Sequence, residues 1–270
     1  MQNKNHRGFA NGQSLAWMLA KRDLKNRYAS SYAGVAWTIG VPLLYSLINV
    51  VVFSILMTGR MGERYGNIPF ALFYFVPFSL WALFAEVVGR SPSILREYGY
   101  LINKIAFPTW VLPLIPFASA LLSQAIILVL TVVLILYLGV PVAGTAWIYL
   151  VIWAIAIMLT LGIAYAVAAL AVYVPDLAQA TPVAVTILFW LTPILYPATL
   201  VEAHGALWIR SVIMDYNPFF YLVDMSRHAV FGSAPISWGA MGLMALVAAL
   251  VLLAGVTVFR KLRPGFADVL

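Results

Sequence analysis

Six stretches of this chain are long and apolar enough to cross a lipid bilayer: residues 33–57, 68–88, 110–138, 146–174, 177–195 and 236–259. A crossing needs about 20 predominantly apolar residues. Backbone in hydrocarbon must satisfy its own amides, which a helix does within one segment. The pattern therefore predicts an all-α integral membrane protein with six transmembrane helices. Only 9% of the 270 residues are charged, against roughly 25% in a soluble domain, and no internal repeat or low-complexity linker divides the chain. One membrane domain over 1–270 is expected: 1–32 an N-terminal segment, 33–259 the six-span region and 260–270 a tail. Charges continue to Arg27 and no small-residue cleavage site closes the first apolar run, so that run reads as an uncleaved span. The fifth run is the shortest and is interrupted by Pro182 and Pro193.

Placement of the cations sets the orientation. With a cytoplasmic N-terminus and six spans, the inside set is Lys4, Arg7, Lys21, Arg22, Lys25, Arg27, Arg90, Arg96, Lys104, Arg260, Lys261 and Arg263. The outside set is Arg60, Arg64, Arg210 and Arg227. Twelve of the sixteen cations then face the cytoplasm, so both termini are expected there. The net charge of +7 is spread over every cytoplasmic segment, as topology demands, and this argues against a nucleic-acid partner. No cysteine is present, which excludes disulfides, thiolate chemistry and cysteine-based metal sites.

The loop after the second span, GRSPSILREYGYLINKIAFP at 89–108, does not read as a plain connector. Ser91 followed by Pro92 has the form of an N-cap and a first helical position. Ile94, Leu95, Tyr98, Leu101, Ile102 and Ile105 recur at three- and four-residue steps, which places them on one helix face. A capped amphipathic helix facing the cytoplasm is expected. Near the N-terminus, Ser14 can cap a second helix in which Trp17, Ala20, Leu24 and Tyr28 share a face while Lys21, Arg22, Lys25 and Arg27 point elsewhere. This is the pattern of an interfacial helix. Its cations either fix topology and touch lipid headgroups, or attract a phosphate-bearing substrate.

Other features carry two readings each. Phe70, Phe73, Tyr74, Phe78, Trp81 and Phe84 form a stripe on the second span, suited to helix packing and interface anchoring or to stacking on sugar rings. Glu86 is the one charged residue inside an expected span, and Arg90 four residues on makes an i,i+4 pair the economical account; a lone acid at a membrane edge makes a poor proton relay. Gly162, Ala164, Ala166 and Ala168 suit close helix contact. Residues 197–235 are too polar to span and too apolar for an ordinary loop, so they form either two half-depth helices in the outer leaflet or an amphipathic helix on the surface. His6, His204 and His228 are scattered, and no zinc-protease, nucleophile-elbow or clustered-carboxylate pattern appears. Nothing argues for an enzyme. The nearest approach to a P-loop, GVPVAGTA at Gly139, lacks its lysine, so ATP, if used, is hydrolysed elsewhere.

These features together resemble the permease subunit of ABC transporters that export polysaccharides. The likeness runs nearly end to end, through RDLKNRYASSYAGVAWTIGVPLL, YLINKIAFPTWVLPL, ATPVAVTILFWLTPILYP, NPFFYLVDMSRHAVFG and FRKLRPGFADVL. One departure is Pro175-Asp176, where relatives commonly show Arg-Asp, which puts that arginine's cytoplasmic contact in doubt. The resemblance implies a homodimer in the inner membrane paired with two cytoplasmic ATPase subunits, which bind the ATP and Mg while this chain binds no cofactor. It makes the helix between spans two and three a coupling helix, with Ile94, Leu95, Tyr98, Leu101, Ile102, Asn103 and Lys104 seated on the ATPase. The half-helices before span six would shape the periplasmic exit, and the span-two aromatics would line the channel. The implied cargo is a lipid-linked polysaccharide, such as an O-antigen on a polyprenyl-diphosphate carrier. Lys21, Arg22, Lys25 and Arg27 are then candidates for its diphosphate. Capsule, teichoic acid or a drug is the cargo in rival readings of the same superfamily. An ATPase-independent channel, a secondary transporter or a membrane enzyme is the rival from another class.

Overall fold

The computed structural model describes residues 18–19, 21–23, 36–104 and 107–270, with the side chains of all but Thr38, Ile39, Pro42, Asn103, Lys104 and His204. The expected contributions of Ser14, Trp17, Ala20, Leu24, Lys25, Arg27, Tyr28 and Ile105 lie outside the described residues, as do Lys4 and Arg7. Among the described residues the regular structure is helical and no strand occurs. The principal helices are α1 (Ala36–Leu56), α2 (Phe70–Glu97), α3 (Leu114–Leu138), α4 (Ile148–Tyr173), α5 (Leu177–Leu191), α6 (Pro218–Phe231) and α7 (Trp238–Leu262).

Among the described residues, four helical segments are long and apolar enough to cross a membrane: Phe70–Glu97, Thr109–Leu138, Ile148–Tyr173 and Trp238–Val269. Leu43–Leu56, within α1, and α5 are shorter apolar helices. The fifth run, expected to reach residue 195, stops as a helix at Leu191 because Thr192 turns extended ahead of Pro193. Its 15 residues give about 22 Å of helix, short of the ~30 Å hydrocarbon core.

The Ser91–Pro92 helix start is not observed. α2 runs unbroken through both residues to Glu97, and the Ser91 hydroxyl donates to the Val87 carbonyl at 2.7 Å instead of capping. Bonding one turn back in this way is open to a serine within a helix, and neighbouring groups let a membrane helix tolerate proline. The break comes seven residues later than expected, at Tyr98, followed by a short helix at Gly99–Lys104.

α2 is the hub, packing against α3, α4, α5 and α6, while α4 crosses α7 closely. That crossing is made by two glycines. A Cβ at Gly162 would lie 2.6 Å from the Leu252 nitrogen, and one at Gly255 would overlap the Gly162 carbonyl. Ala164 and Ala168 are also fully buried, Ala164 against Leu83, Val87 and Ala120 of α2 and α3, so the small residues of α4 do provide close packing.

Residues 197–235 do not lie on the surface as one amphipathic helix. They form two short helices, Ala198–His204 and Leu207–Arg210, a π turn at Ser211–Asp215, and then α6. α6 is nearly sealed: Phe219, Leu222, Val223, Ser226 and Ala229 are almost fully buried. Asn217 caps it by accepting from the Phe219 amide at 3.0 Å, with Pro218 at its start. Its last carbonyls are taken up by the loop before α4: the Ala143 amide donates to Val230 at 2.9 Å and the Thr145 hydroxyl to Ala229 at 3.0 Å.

Arg227, assigned by topology to the outside set, is fully buried on α6. Its Nε donates to the Phe73 carbonyl at 3.1 Å and its two terminal nitrogens to Pro193 and Ile194 at 2.8 Å each. The guanidinium carbon also sits 3.5 Å from the centre of the Phe73 ring. Next to it the Tyr65 hydroxyl donates to Asp224 at 2.6 Å and lies 3.3 Å from His228 Nε2. Burial, reinforced by the Asp224 charge, holds the Tyr65 phenol protonated, which suits its donor role.

Candidate functional site

The sequence-predicted docking and headgroup residues meet at one end of the molecule. That end is assembled by groups that reach across helix termini. The Arg96 guanidinium donates to the Ala171 and Val172 carbonyls at 3.2 and 3.3 Å, filling acceptors that the end of α4 leaves open. The Tyr173 hydroxyl donates to Leu262 at 2.9 Å, tying α4 to α7. Phe266 is fully buried, and the short helix Phe266–Val269 packs against Gly99–Lys104.

Met18, Leu19 and Lys21–Asp23 are helical, with Leu19 and Asp23 turned inward and Lys21 and Arg22 exposed. Lys21 and Arg22 point outward as expected, but the inward residues are Leu19 and Asp23, whereas the expected apolar face of Trp17, Ala20, Leu24 and Tyr28 lies outside the described residues. The anchor of this helix is an ion pair that sequence reading missed. Arg90 donates to both Asp23 oxygens, at 2.7 and 2.8 Å, in the bidentate geometry that makes such pairs strong. The Ser119 hydroxyl from α3 adds a bond to Asp23 at 3.2 Å. The i,i+4 partner assigned to Arg90, Glu86, contributes only at longer range. The available signal was Asp23 itself, the lone acid among the cations of KRDLKNR.

The docking face is rearranged relative to expectation. Ile94 and Leu95 are fully buried and Tyr98 nearly so, packed with Leu19, Leu112, Ile115, Tyr165, Phe259 and Phe266. Leu101 and Ile102 are half-buried against the same cluster, and Asn103 and Lys104 continue the helix. The apolar side of the segment is covered by the chain's own helices, because the tail and the N-terminal helix close over it. The exposed ridge is Arg96, Glu97 and Tyr100. Arg22, Asp23, Glu97, Tyr98 and Tyr100 line a concavity of about 320 Å³, joining the interfacial helix to the ridge. Burial, with Asp23 and Glu97 nearby, pushes the Tyr98 phenol up to about 12, so it is neutral at physiological pH.

The aromatic stripe is mostly interior. Phe73, Tyr74, Trp81 and Phe84 are buried in the central core, where Phe84 and Phe219 approach to 4.3 Å between ring centres and Trp81 meets Phe189 at 5.7 Å. Phe70 and Phe78 alone are part-exposed. Four of the six therefore pack the protomer.

The Asp23–Arg90 pair gives a direct prediction. Arg90→Ala is expected to lower stability by about 2–4 kcal/mol, because it removes the bidentate cation from a buried carboxylate. Exchanging the charges, with Asp23→Arg and Arg90→Asp together, should recover half or more of the loss in the thermal midpoint of the purified protein. A charge exchange no better than the sum of its single substitutions would remove this contact from the account.

Four long apolar helices held together by polar clasps at one end define the chain as a helical membrane protein. Residues 14–231 match the ABC-2 type transporter family, and the chain belongs to it. Among curated proteins, it is 31% identical over 256 residues to the O-antigen export system permease protein RfbA of Myxococcus xanthus, covering 93% of each. It is 25% identical over 258 residues to the protein of the same name in Klebsiella pneumoniae, covering 94% of this chain and 93% of that relative. The resemblance read from the sequence is borne out. The chain is a transport permease subunit, and its family implies a partner ABC ATPase.

Proposed function

We propose that the chain is the channel-forming permease of an ATP-driven polysaccharide exporter. Its cargo in this reading is an O-antigen on a polyprenyl-diphosphate carrier, moved from the cytoplasm to the periplasm. The observation that carries the proposal is end-to-end similarity to O-antigen export permeases. In the working complex two copies sit in the inner membrane with two ATPase subunits, which bind the ATP and Mg. Each copy crosses six times, with α1 and with α5 continued by the non-helical residues 192–195 as the additional spans, both termini cytoplasmic, and the helices of 198–231 re-entrant on the periplasmic side. The exposure of α1 and α5 supports pairing. Tyr45, Ile48 and Ile55 on α1, and Val183, Ile187 and Trp190 on α5, are more than half exposed.

Coupling starts at the ridge of Glu97 and Tyr100, with the Gly99–Lys104 helix and its half-buried Leu101 and Ile102 behind it, seated in a groove of the ATPase. α2 is one helix of 28 residues, about 42 Å long, so displacement of its cytoplasmic end is carried along its whole length. The same displacement pulls on the interfacial helix through Arg90 and Asp23. Lys21 and Arg22, with Lys25 and Arg27, recruit the diphosphate there. Phe70 and Phe78 are the stripe residues left to meet the glycan.

Loss of the gene should strip long-chain glycan from the cell surface and leave it inside the cell. The wild-type gene should restore the surface glycan, whereas Glu97→Lys with Tyr100→Asp, inserted at normal level, should not. Surface glycan unchanged by deletion would refute the proposal.

A further inference from the structure

A second concavity lies at the same end, away from the ridge. It is a cleft of about 390 Å³ lined by Trp110, Tyr165, Val256, Phe259, Arg260 and Arg263. Its floor is rigid. The Tyr165 hydroxyl donates to the Trp110 carbonyl at 2.8 Å, and the Tyr165 and Phe259 rings meet edge to face at 5.3 Å. Its rim is two exposed guanidiniums three residues apart on α7 and the turn that follows it, a spacing that puts them side by side. Among the described residues neither guanidinium takes part in an ion pair or hydrogen bond.

The cleft does not close on its apolar side. One turn before Arg260 comes Val256, then Leu253, Leu250 and Leu246, all three leucines exposed, continuing at three- and four-residue steps along α7. A paired cation site that runs into an exposed aliphatic track complements a molecule with an anionic head and a hydrocarbon chain. A soluble anion would use the first part and leave the second bare. Trp110 at the rim suits headgroup depth. We propose that this cleft binds an anionic glycerophospholipid, its phosphate between Arg260 and Arg263 and one acyl chain along α7. The site stands apart from the cargo and ATPase contacts proposed above and does not depend on them.

The test is native mass spectrometry of the purified permease with phosphatidylglycerol, phosphatidylcholine or a polyprenyl phosphate added to the micelles. Wild type should retain phosphatidylglycerol over phosphatidylcholine. Arg260→Gln with Arg263→Gln should cut that retention roughly tenfold, the scale of losing charge-assisted contacts, with an unchanged thermal midpoint since both side chains are exposed. Lys261→Gln removes one positive charge from a neighbouring position outside the cleft and should leave retention intact. Val256→Trp, which fills the apolar wall and keeps both arginines, should also lower it. Equal losses in the double variant and in Lys261→Gln would overturn the site, because general surface charge would then explain binding. Full displacement by inorganic phosphate would overturn the lipid assignment, and tighter retention of the polyprenyl phosphate would transfer the site to the cargo.

Discussion

A valine at Gly255 is expected to abolish accumulation of folded protein. α4 and α7 approach there until backbone meets backbone, and a Cβ on Gly255 would overlap the Gly162 carbonyl. Neither partner atom is the end of a flexible side chain, so the whole helix pair must separate to admit one methyl. Helix association in lipid rests on packing of this kind, and overfilling a packed contact costs about 1–3 kcal/mol per small increment. Gly255→Ala should therefore lower the thermal midpoint clearly, and Gly255→Val should leave little monodisperse protein on size exclusion. Gly239→Ala and Gly242→Ala on the same helix are the controls, since a Cβ at either position meets nothing. Both should be neutral or slightly stabilising, because alanine is favoured over glycine in a helix by about 0.5–1 kcal/mol. A Gly255→Val protein as stable as these controls would mean that the crossing is looser than its geometry.

Arg227 carries the second large effect, and here two terms oppose. A buried guanidinium costs several kcal/mol of desolvation, which a methionine would recover. The methionine would also strand three carbonyls, those of Phe73, Pro193 and Ile194, at about 1–3 kcal/mol each. Pro193 and Ile194 follow the end of α5, so their acceptors have no continuing helix to turn to. The carbonyl term should win, and Arg227→Met is expected to cost about 3 kcal/mol or more. Arg227→Lys separates charge from geometry. An ammonium is a point charge and cannot span three acceptors as the planar fork does, so lysine should fail to rescue. Arg227→Lys at the wild-type midpoint would show that the positive charge alone holds this junction.

Much of the architecture was legible because lipid imposes it. Apolar runs at 68–88, 110–138, 146–174 and 236–259 correspond to α2, α3, α4 and α7. What failed did so for identifiable reasons. Ser91–Pro92 has the residues of a helix start, yet a serine can bond back one turn and a membrane helix can carry a proline, so local chemistry did not decide where α2 ends. The hydrophobic face of Ile94 and Leu95 was real, but periodicity says only that a face is buried, not by what. The burial of Arg227 was not legible, because an isolated cation in a mixed stretch carries no mark of the carbonyls that converge on it. Asp23 and Arg90 are 67 residues apart, and only the fold brings them together.

The central claim is that ATP hydrolysis by a partner moves a lipid-linked glycan through this chain. Proteoliposomes holding the permease and its ATPase, with the ATPase facing outward and fluorescent lipid-linked glycan in the outer leaflet, test it directly. Addition of ATP should shelter the glycan from an external lectin. The protection should vanish when the ATPase's P-loop lysine is replaced, and should fall sharply with Glu97→Lys and Tyr100→Asp. Glycan that stays equally accessible with and without ATP, in vesicles whose ATPase is active, would contradict the account.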